Sequence, residues 1–400
     1  MTTWIFSKRA SEMETSAIRE ILKVTEQPEV ISFAGGLPAP ELFPVEGIRR
    51  ACQDVLAQYG PKSLQYSLSL GIREIRQFLA QRLRKRGIDA TEENILISGG
   101  SQQGLDIIGK AFLDSGTVIL CEKPTYLGAI QAFSAYRPVY VTVEMDEEGM
   151  IVDQVEEKIK KYHPRFIYTV PTFQNPTGRT LSYRRRIQLV ELAKKYSIPI
   201  VDDNPYSELR YSGEEMPSIK AIAGDWVIQL GTFSKIVSPG LRIGWIAASL
   251  EIMPVLEKMK QALDLHTNTF SQYVIWEYCK EGRLEKHIEK LKDAYRLRRD
   301  VMLEAMEKYM PEEVFWTKPE GGLFLWVHLP EGTNSTELLK FAIKSKVAYV
   351  PGNGFFPNPG GENTLRMNFS NACEEKIREG VKRLAEVFKA HIERPVSLKV

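Results

Sequence analysis

Between about residues 94 and 248 the chain repeats one pattern seven times: a short apolar run rich in β-branched residues, then a stretch of helical character. The runs are Asn94–Ser98, Thr117–Cys121, Pro138–Val143, Phe166–Val170, Ile198–Asp202, Trp226–Leu230 and Ile243–Ala247. Runs that are apolar throughout, rather than alternating, belong to strands buried on both faces. Helices between such strands return the chain to the same edge and make neighbours parallel. The pattern predicts an α/β fold whose large domain holds a mostly parallel, seven-stranded sheet.

The C-terminal part reads differently. Residues 322–328 and 364–369 are strand-like and separated by turn-rich sequence, and 374–393 places Ile377, Val381, Leu384 and Phe388 on one helical face. This predicts a smaller α+β domain. The first forty residues carry no sheet signature and are assigned to it. The expected division is a large domain over 45–290 and a small one over 1–44 plus 291–400.

Charge and composition exclude several function classes. The chain has 53 basic against 51 acidic residues, which argues against the one-signed basic face of a nucleic-acid binder. The basic runs Arg82–Arg86 and Arg184–Arg186 read as solvated helix faces. Four cysteines (Cys52, Cys121, Cys279 and Cys373) and five scattered histidines offer no zinc-ligand spacing, so no metal is expected. No run approaches the ~18 apolar residues of a spanning helix, and the start shows no secretory pattern. A cytoplasmic location without membrane attachment is the expectation.

Ligands of open parallel sheets bind beyond the carboxyl ends of the strands, so the residues placed there matter most. After the first run comes Gly99-Gly100-Ser101-Gln102, opening a helix, where free N–H groups and the helix dipole favour an anion; taken singly it is equally a plain turn. A later run leads to Gln174-Asn175-Pro176-Thr177-Gly178, and the next to Asp202-Asp203-Asn204-Pro205-Tyr206. Buried carboxylates there are costly unless donors or a cation meet them. The following run leads to Thr232-Phe233-Ser234-Lys235 and then Arg242. Alone, Lys235 would read as an ordinary loop lysine. Together the strand ends supply an anion cradle, an amide, a carboxylate and an amine, which is the set pyridoxal 5'-phosphate requires.

With these motifs in this order, the sequence resembles the class I/II aminotransferases of the fold-type-I pyridoxal-phosphate enzymes, and most of all their 2-aminoadipate, kynurenine and broad-specificity aromatic branch. The resemblance implies that Lys235 carries the cofactor and moves the proton, that Asp203 pairs with the ring nitrogen, and that Tyr126 stacks on the ring. Asp203 is preferred over Asp202 because the motif counts back from Pro205-Tyr206. The resemblance also implies that Asn175 and Tyr206 bond the ring hydroxyl, and that Ser101, Gln102, Thr232 and Arg242 hold the phosphate. Tyr66 would reach the phosphate of a neighbouring copy, making a homodimer with shared sites. Arg366 would bind the substrate α-carboxylate beside Asn175, with Gly36 and Arg19 as further substrate contacts. For the last two, a plain turn and a solvent-exposed helix arginine are equally good readings.

The implied reaction is transamination between an L-amino acid (aromatic, 2-aminoadipate or similar) and a 2-oxo acid such as 2-oxoglutarate. A lyase or synthase on the same scaffold is the alternative, because a fold does not dictate a reaction. The effector domain of a winged-helix regulator is a further alternative. It is disfavoured because the resemblance begins within the first twenty residues and the net charge is near neutral.

Overall fold

The computed structural model describes residues 4–13, 27 and 29–392; Arg19 lies outside them. In chain order the strands are β1 (Ile31–Ser32), β2 (Ile95–Ser98), β3 (Val118–Lys123), β4 (Val139–Asp146), β5 (Gly149–Met150), β6 (Phe166–Thr169), β7 (Ile200–Asp203), β8 (Val227–Thr232) and β9 (Gly244–Ala247). They continue with β10 (Phe315–Trp316), β11 (Phe324–His328), β12 (Val347–Ala348), β13 (Val350–Pro351) and β14 (Thr364–Asn368).

The large sheet runs β2-β9-β8-β7-β6-β3-β4-β5. All seven predicted strands are present, and β4, β3, β6, β7 and β8 are mutually parallel. The sheet has eight strands rather than seven. The extra one, β5, is two residues long and turns back on the end of β4, too short for periodicity to reveal. β9 is antiparallel to both β8 and β2. The segment from β8 to β9 is therefore a return at one edge of the sheet, not a crossover, and it carries both Lys235 and Arg242.

Strands β2, β6, β7 and β8 are buried at every residue, as continuous apolar runs require when helices cover both faces. A wholly apolar cluster, including Leu120, Ile167, Leu189, Val190 and Ile200, fills the space under helices 155–162 and 183–195.

The second sheet, β10-β11-β14-β13, is antiparallel, and Trp326 on β11 lies opposite Arg366 on β14. β1 pairs with β12, tying the N-terminal segment to the C-terminal part. The C-terminal helix, Glu374–Ile392, buries Ile377, Val381, Leu384 and Phe388 as the spacing predicted. Beside it lies the 27-residue helix Arg283–Tyr309. Its buried Leu284, Ile288, Leu291, Tyr295, Met302 and Met306 fall at helical spacing.

The basic runs are not simply solvated faces. Arg184 is exposed, but Arg185 forms a two-pronged pair with Asp146, and Arg186 is about 1% exposed. The Arg186 guanidinium donates to the carbonyls of Leu181, Pro171 and Pro217 and to the Thr172 hydroxyl. Arg82 is held between Glu208 and Glu285. Charge runs on a helix facing a loop-rich edge can satisfy buried carbonyls, which composition does not reveal. Among the described residues no helix is long and apolar enough to cross a membrane.

Candidate active site

A cavity of about 400 Å³ opens at the carboxyl ends of the parallel strands. Gly36, Ser101, Gln102, Tyr126, Asn175, Asp203, Tyr206, Thr232, Lys235, Arg242 and Arg366 all line it. Tyr66 does not. It is 78% exposed, its ring edge-on to His266 at 5.7 Å between centroids.

One end of the cavity is a cradle made of turns. Ser98, Gly244 and Thr232 lie side by side across β2, β9 and β8. The chain then leaves β2 through Gly99-Gly100 into the helix Ser101–Phe112, which no side chain among the described residues caps. Its leading N–H groups are open to an anion. Gly100 has φ 90°, and a Cβ there would lie 2.4 Å from Arg242 Nη2, so only glycine fits. Arg242 Nη2 donates to the Gly99 carbonyl at 2.8 Å, and the Gly99 N–H donates to Gln103 Oε1 at 2.7 Å. Thr232 and Ser234 are joined by a 2.9 Å hydroxyl–hydroxyl bond, and Arg242 Nη1 reaches Ser234 Oγ at 3.4 Å. Ser234 carries no mark of this role in the sequence, although it stands beside Lys235.

The other end is buried and only partly satisfied. Consecutive residues of a strand face opposite sides. Asp203 therefore faces the cavity, while Asp202 turns away and accepts from Gln229 Nε2 at 3.0 Å. Tyr168, absent from the sequence-based assignment, donates its hydroxyl to Asp203 Oδ2 at 2.9 Å. Asp203 Oδ1 has no hydrogen-bond partner among the described residues. Burial pushes the Asp203 carboxyl up to about 7; the Tyr168 bond opposes this and the Asp202 charge adds to it.

Arg366 reaches in from β14. Its Nη1 donates to Asn175 Oδ1 at 2.8 Å and its Nη2 to the Ala34 carbonyl at 2.7 Å, while Nε is unpartnered among the described residues. The guanidinium carbon lies 4.3 Å from the Phe324 ring centroid and 5.0 Å from that of Phe355. Asn175 Nδ2 contacts the Tyr206 hydroxyl at 3.4 Å.

Lys235 stands between the two ends, its Nζ donating to the Gly36 carbonyl at 2.7 Å. Burial pulls its ammonium down to about 8, and the nearby Arg366 and Arg242 charges lower it further. An amine lowered in this way keeps a far larger neutral, nucleophilic fraction near neutral pH than an exposed lysine does.

These groups match pyridoxal phosphate demand by demand. A depressed amine meets the aldehyde, the orphaned Asp203 Oδ1 meets a ring N–H, and the uncapped helix with Arg242 meets the phosphate. An open α/β sheet with such a cavity at its strand ends defines a pyridoxal-phosphate enzyme.

The model of the family described as aminotransferase class I and II matches residues 28–384, and the chain belongs to that family. It is a pyridoxal-phosphate-dependent aminotransferase. The chain is 49% identical over 396 residues to aromatic-amino-acid aminotransferase 1 of Thermococcus litoralis, covering 97% of this chain and 95% of the relative. It is 42% identical over 388 residues to 2-aminoadipate transaminase of Thermus thermophilus, covering 96% of each. Among solved structures, kynurenine aminotransferase of Pyrococcus horikoshii superposes with a TM-score of 0.94 at 48% identity, over 97% of this chain and 98% of that one. The lyase and regulator alternatives gain no support over transamination.

Proposed function

We propose that this aminotransferase exchanges an amino group between a broad set of L-amino acids, aromatic ones and 2-aminoadipate among them, and 2-oxo acids such as 2-oxoglutarate. The observation that carries this reading is the buried Arg366 guanidinium facing the same cavity as Lys235. Two of its five N–H groups are spent on Asn175 and Ala34, and the rest suit a carboxylate taken bidentately. A substrate held by its α-carboxylate keeps that group, as transamination requires. The names of the aromatic and 2-aminoadipate relatives support the substrate range.

In this reading Ser101, Gln102, Thr232 and Arg242 hold the cofactor phosphate, Asn175 and Tyr206 the ring hydroxyl, and Asp203 the ring nitrogen, while Tyr126 covers the ring face. Bound pyridoxal phosphate supplies an electron-withdrawing ring that stabilises negative charge developing at the substrate Cα. Asp203 would keep the ring nitrogen protonated through Oδ1, while Tyr168 holds Oδ2. Lys235 would hold the cofactor through Nζ and, as the free amine, would take the substrate Cα proton and return it. The Gly36 carbonyl holds that Nζ at the border of the substrate space. Arg366 fixes the carboxylate so that the Cα–H bond points at the lysine.

The working unit in this proposal is a cytoplasmic homodimer, divided within each chain into 45–290 and 1–44 plus 291–400. Tyr66 stands exposed beside exposed Leu64 and Leu68. An apolar, outward-facing tyrosine of this kind suits a surface covered by a second copy.

The test is a half-reaction screen. Cofactor-loaded enzyme is mixed with single L-amino acids and no oxo acid, and the visible absorption is followed. Bleaching that reverses on adding 2-oxoglutarate is expected, with aromatic donors and 2-aminoadipate among the fastest. Bleaching that never reverses, with release of other products, would replace this reading with a lyase.

A further inference from the structure

Glu122, the penultimate residue of β3, is a buried carboxylate with no cationic partner among the described residues, and the reaction has no use for it. It is about 1% exposed. Three donors converge on it: the Thr169 hydroxyl on Oε1 at 2.5 Å, and the Val170 N–H and Gln174 side-chain amide on Oε2 at 3.2 and 2.8 Å. Burial pushes its carboxyl up to about 7, against the pull of those three bonds, and the Asp203 charge adds to the rise. Burying a carboxylate with no cationic partner is costly. An apolar residue would fill this position at lower cost unless the acceptor geometry itself is needed.

What that geometry holds is Gln174, which is fully buried and directly precedes Asn175. Gln174 Nε2 also donates to the Pro124 carbonyl at 2.9 Å, two residues before Tyr126. Its Oε1 accepts from the Thr177 N–H at 3.2 Å and the Thr177 hydroxyl at 2.6 Å. One carboxylate, acting through one amide, thus joins the loop that carries Asn175 to the strand end that carries Tyr126. Both of those residues line the cavity.

We propose that Glu122 is a positioning residue, which sets Asn175 and Tyr126 against the cofactor ring through the Gln174 amide. The proposal rests on the reading of Asn175 and Tyr126 as cofactor contacts. Glu122 accepts from three donors and touches no reacting atom. An amide in its place keeps an oxygen toward Val170 and Gln174 and turns its NH₂ toward the Thr169 hydroxyl, which can rotate to accept. Removal of the side chain instead takes this acceptor from all three buried donors.

The experiment compares cofactor-loaded Glu122→Ala, Glu122→Gln, Asn175→Ala and Val190→Ala. Three quantities are read: cofactor Kd, the pH midpoint of the bound cofactor's visible band, and kcat and KM for one amino donor. Glu122→Ala is expected to shift the midpoint in the same direction as Asn175→Ala. It should also raise the cofactor Kd and lower kcat by about tenfold each, as the loss of a buried acceptor allows. Glu122→Gln should stay within about threefold of the parent. Val190→Ala, in the apolar cluster away from the site, should lower Tm and leave midpoint and Kd unchanged. If Glu122→Ala does not fold, Gln174→Met, which keeps the length and loses the amide, should shift the midpoint in the same direction.

Three results overturn the proposal. One is an unmoved midpoint in Glu122→Ala, or in Gln174→Met used in its place, while Asn175→Ala moves it. Another is Glu122→Gln as damaged as Glu122→Ala, which would assign the effect to charge. The third is an unmoved midpoint in Asn175→Ala itself, which would remove the reading of that residue as a cofactor contact.

Discussion

The two ends of the cavity are built on opposite terms. At the anion end the polar side chains already have partners: Arg242 on the Gly99 carbonyl, Gln103 on the Gly99 N–H, and Thr232 on Ser234. What remains open there is backbone N–H at an uncapped helix start. At the substrate end the buried groups are short of partners. Asp203 Oδ1 and Arg366 Nε have none among the described residues, and the Asp203, Lys235 and Arg366 side chains are all shifted toward their neutral forms by burial. The first arrangement is a preformed holder. The second keeps charged groups at a cost that only an incoming charged ligand relieves. Anchoring and chemistry are therefore separable, and substitutions at the two ends should fail differently.

The largest effect is expected at Lys235, which stands between the ends. Lys235→Ala should lower the transamination rate on the order of 10⁴-fold or more. The cofactor should still bind non-covalently, because both ends persist. Rate measurement beside equilibrium dialysis checks this, and a variant that loses the cofactor outright would break the separation. Borohydride reduction of the parent followed by peptide mapping should place the label on Lys235.

Next comes Asp203→Asn, with a loss of about 10²–10³-fold in kcat, against no more than a few-fold for Asp202→Asn, which faces away from the cavity. The reverse order would show the wrong carboxylate facing the ring. The same residue makes a prediction about pH. Its carboxyl is raised from 3.8 to about 7, so the folded cofactor-free protein holds a proton that the unfolded chain releases. The Asp203 contribution to stability should therefore fall as pH rises from about 4 to about 7. Glu122 adds to this slope and His287, pulled down to about 4 by burial, opposes it, so the Asp203 share is the difference in slope between the parent and Asp203→Asn. Denaturant titrations across this range read it directly.

Arg366→Lys should lower kcat/KM by about 10²-fold, because a point charge replaces a two-pronged contact. Cofactor Kd should hardly change, and a large change would tie the substrate end to anchoring. The smallest effect is expected at Arg242→Lys. It should weaken the cofactor by about tenfold through loss of the planar contact to Gly99 and the phosphate site, with kcat restored at saturating cofactor. A kcat that stays depressed at saturation would mean that the anion end also tunes the chemistry.

Five of the seven longer strands, β2 and β6 to β9, are buried at every residue, and the continuous apolar run this demands leaves a mark in any one sequence. Lys235, Asp203, Asn175 and Arg242 were readable because each ends or follows a strand, so local order alone delivers them to one edge. β5 was invisible at two residues, and Arg186 was misread because a helix does not announce which of its faces meets loop carbonyls. Tyr168 and Glu122 escaped notice for a related reason. A hydroxyl or carboxylate inside an apolar run acquires meaning only from the donor or acceptor on the adjacent strand.

The sequence by itself determined the fold class, the ligand edge of the sheet and the chemistry assembled there, because strand periodicity and turn residues act over a few positions. Tertiary structure decided the contacts between distant segments. Pairing of β11 with β14 brings Arg366 to Asn175 across 191 positions, and the N-terminal segment brings the Gly36 carbonyl to Lys235 across 199. Those contacts depend on how separate layers pack and on which buried groups are left without partners. Both are set by long-range burial, which no local spacing encodes.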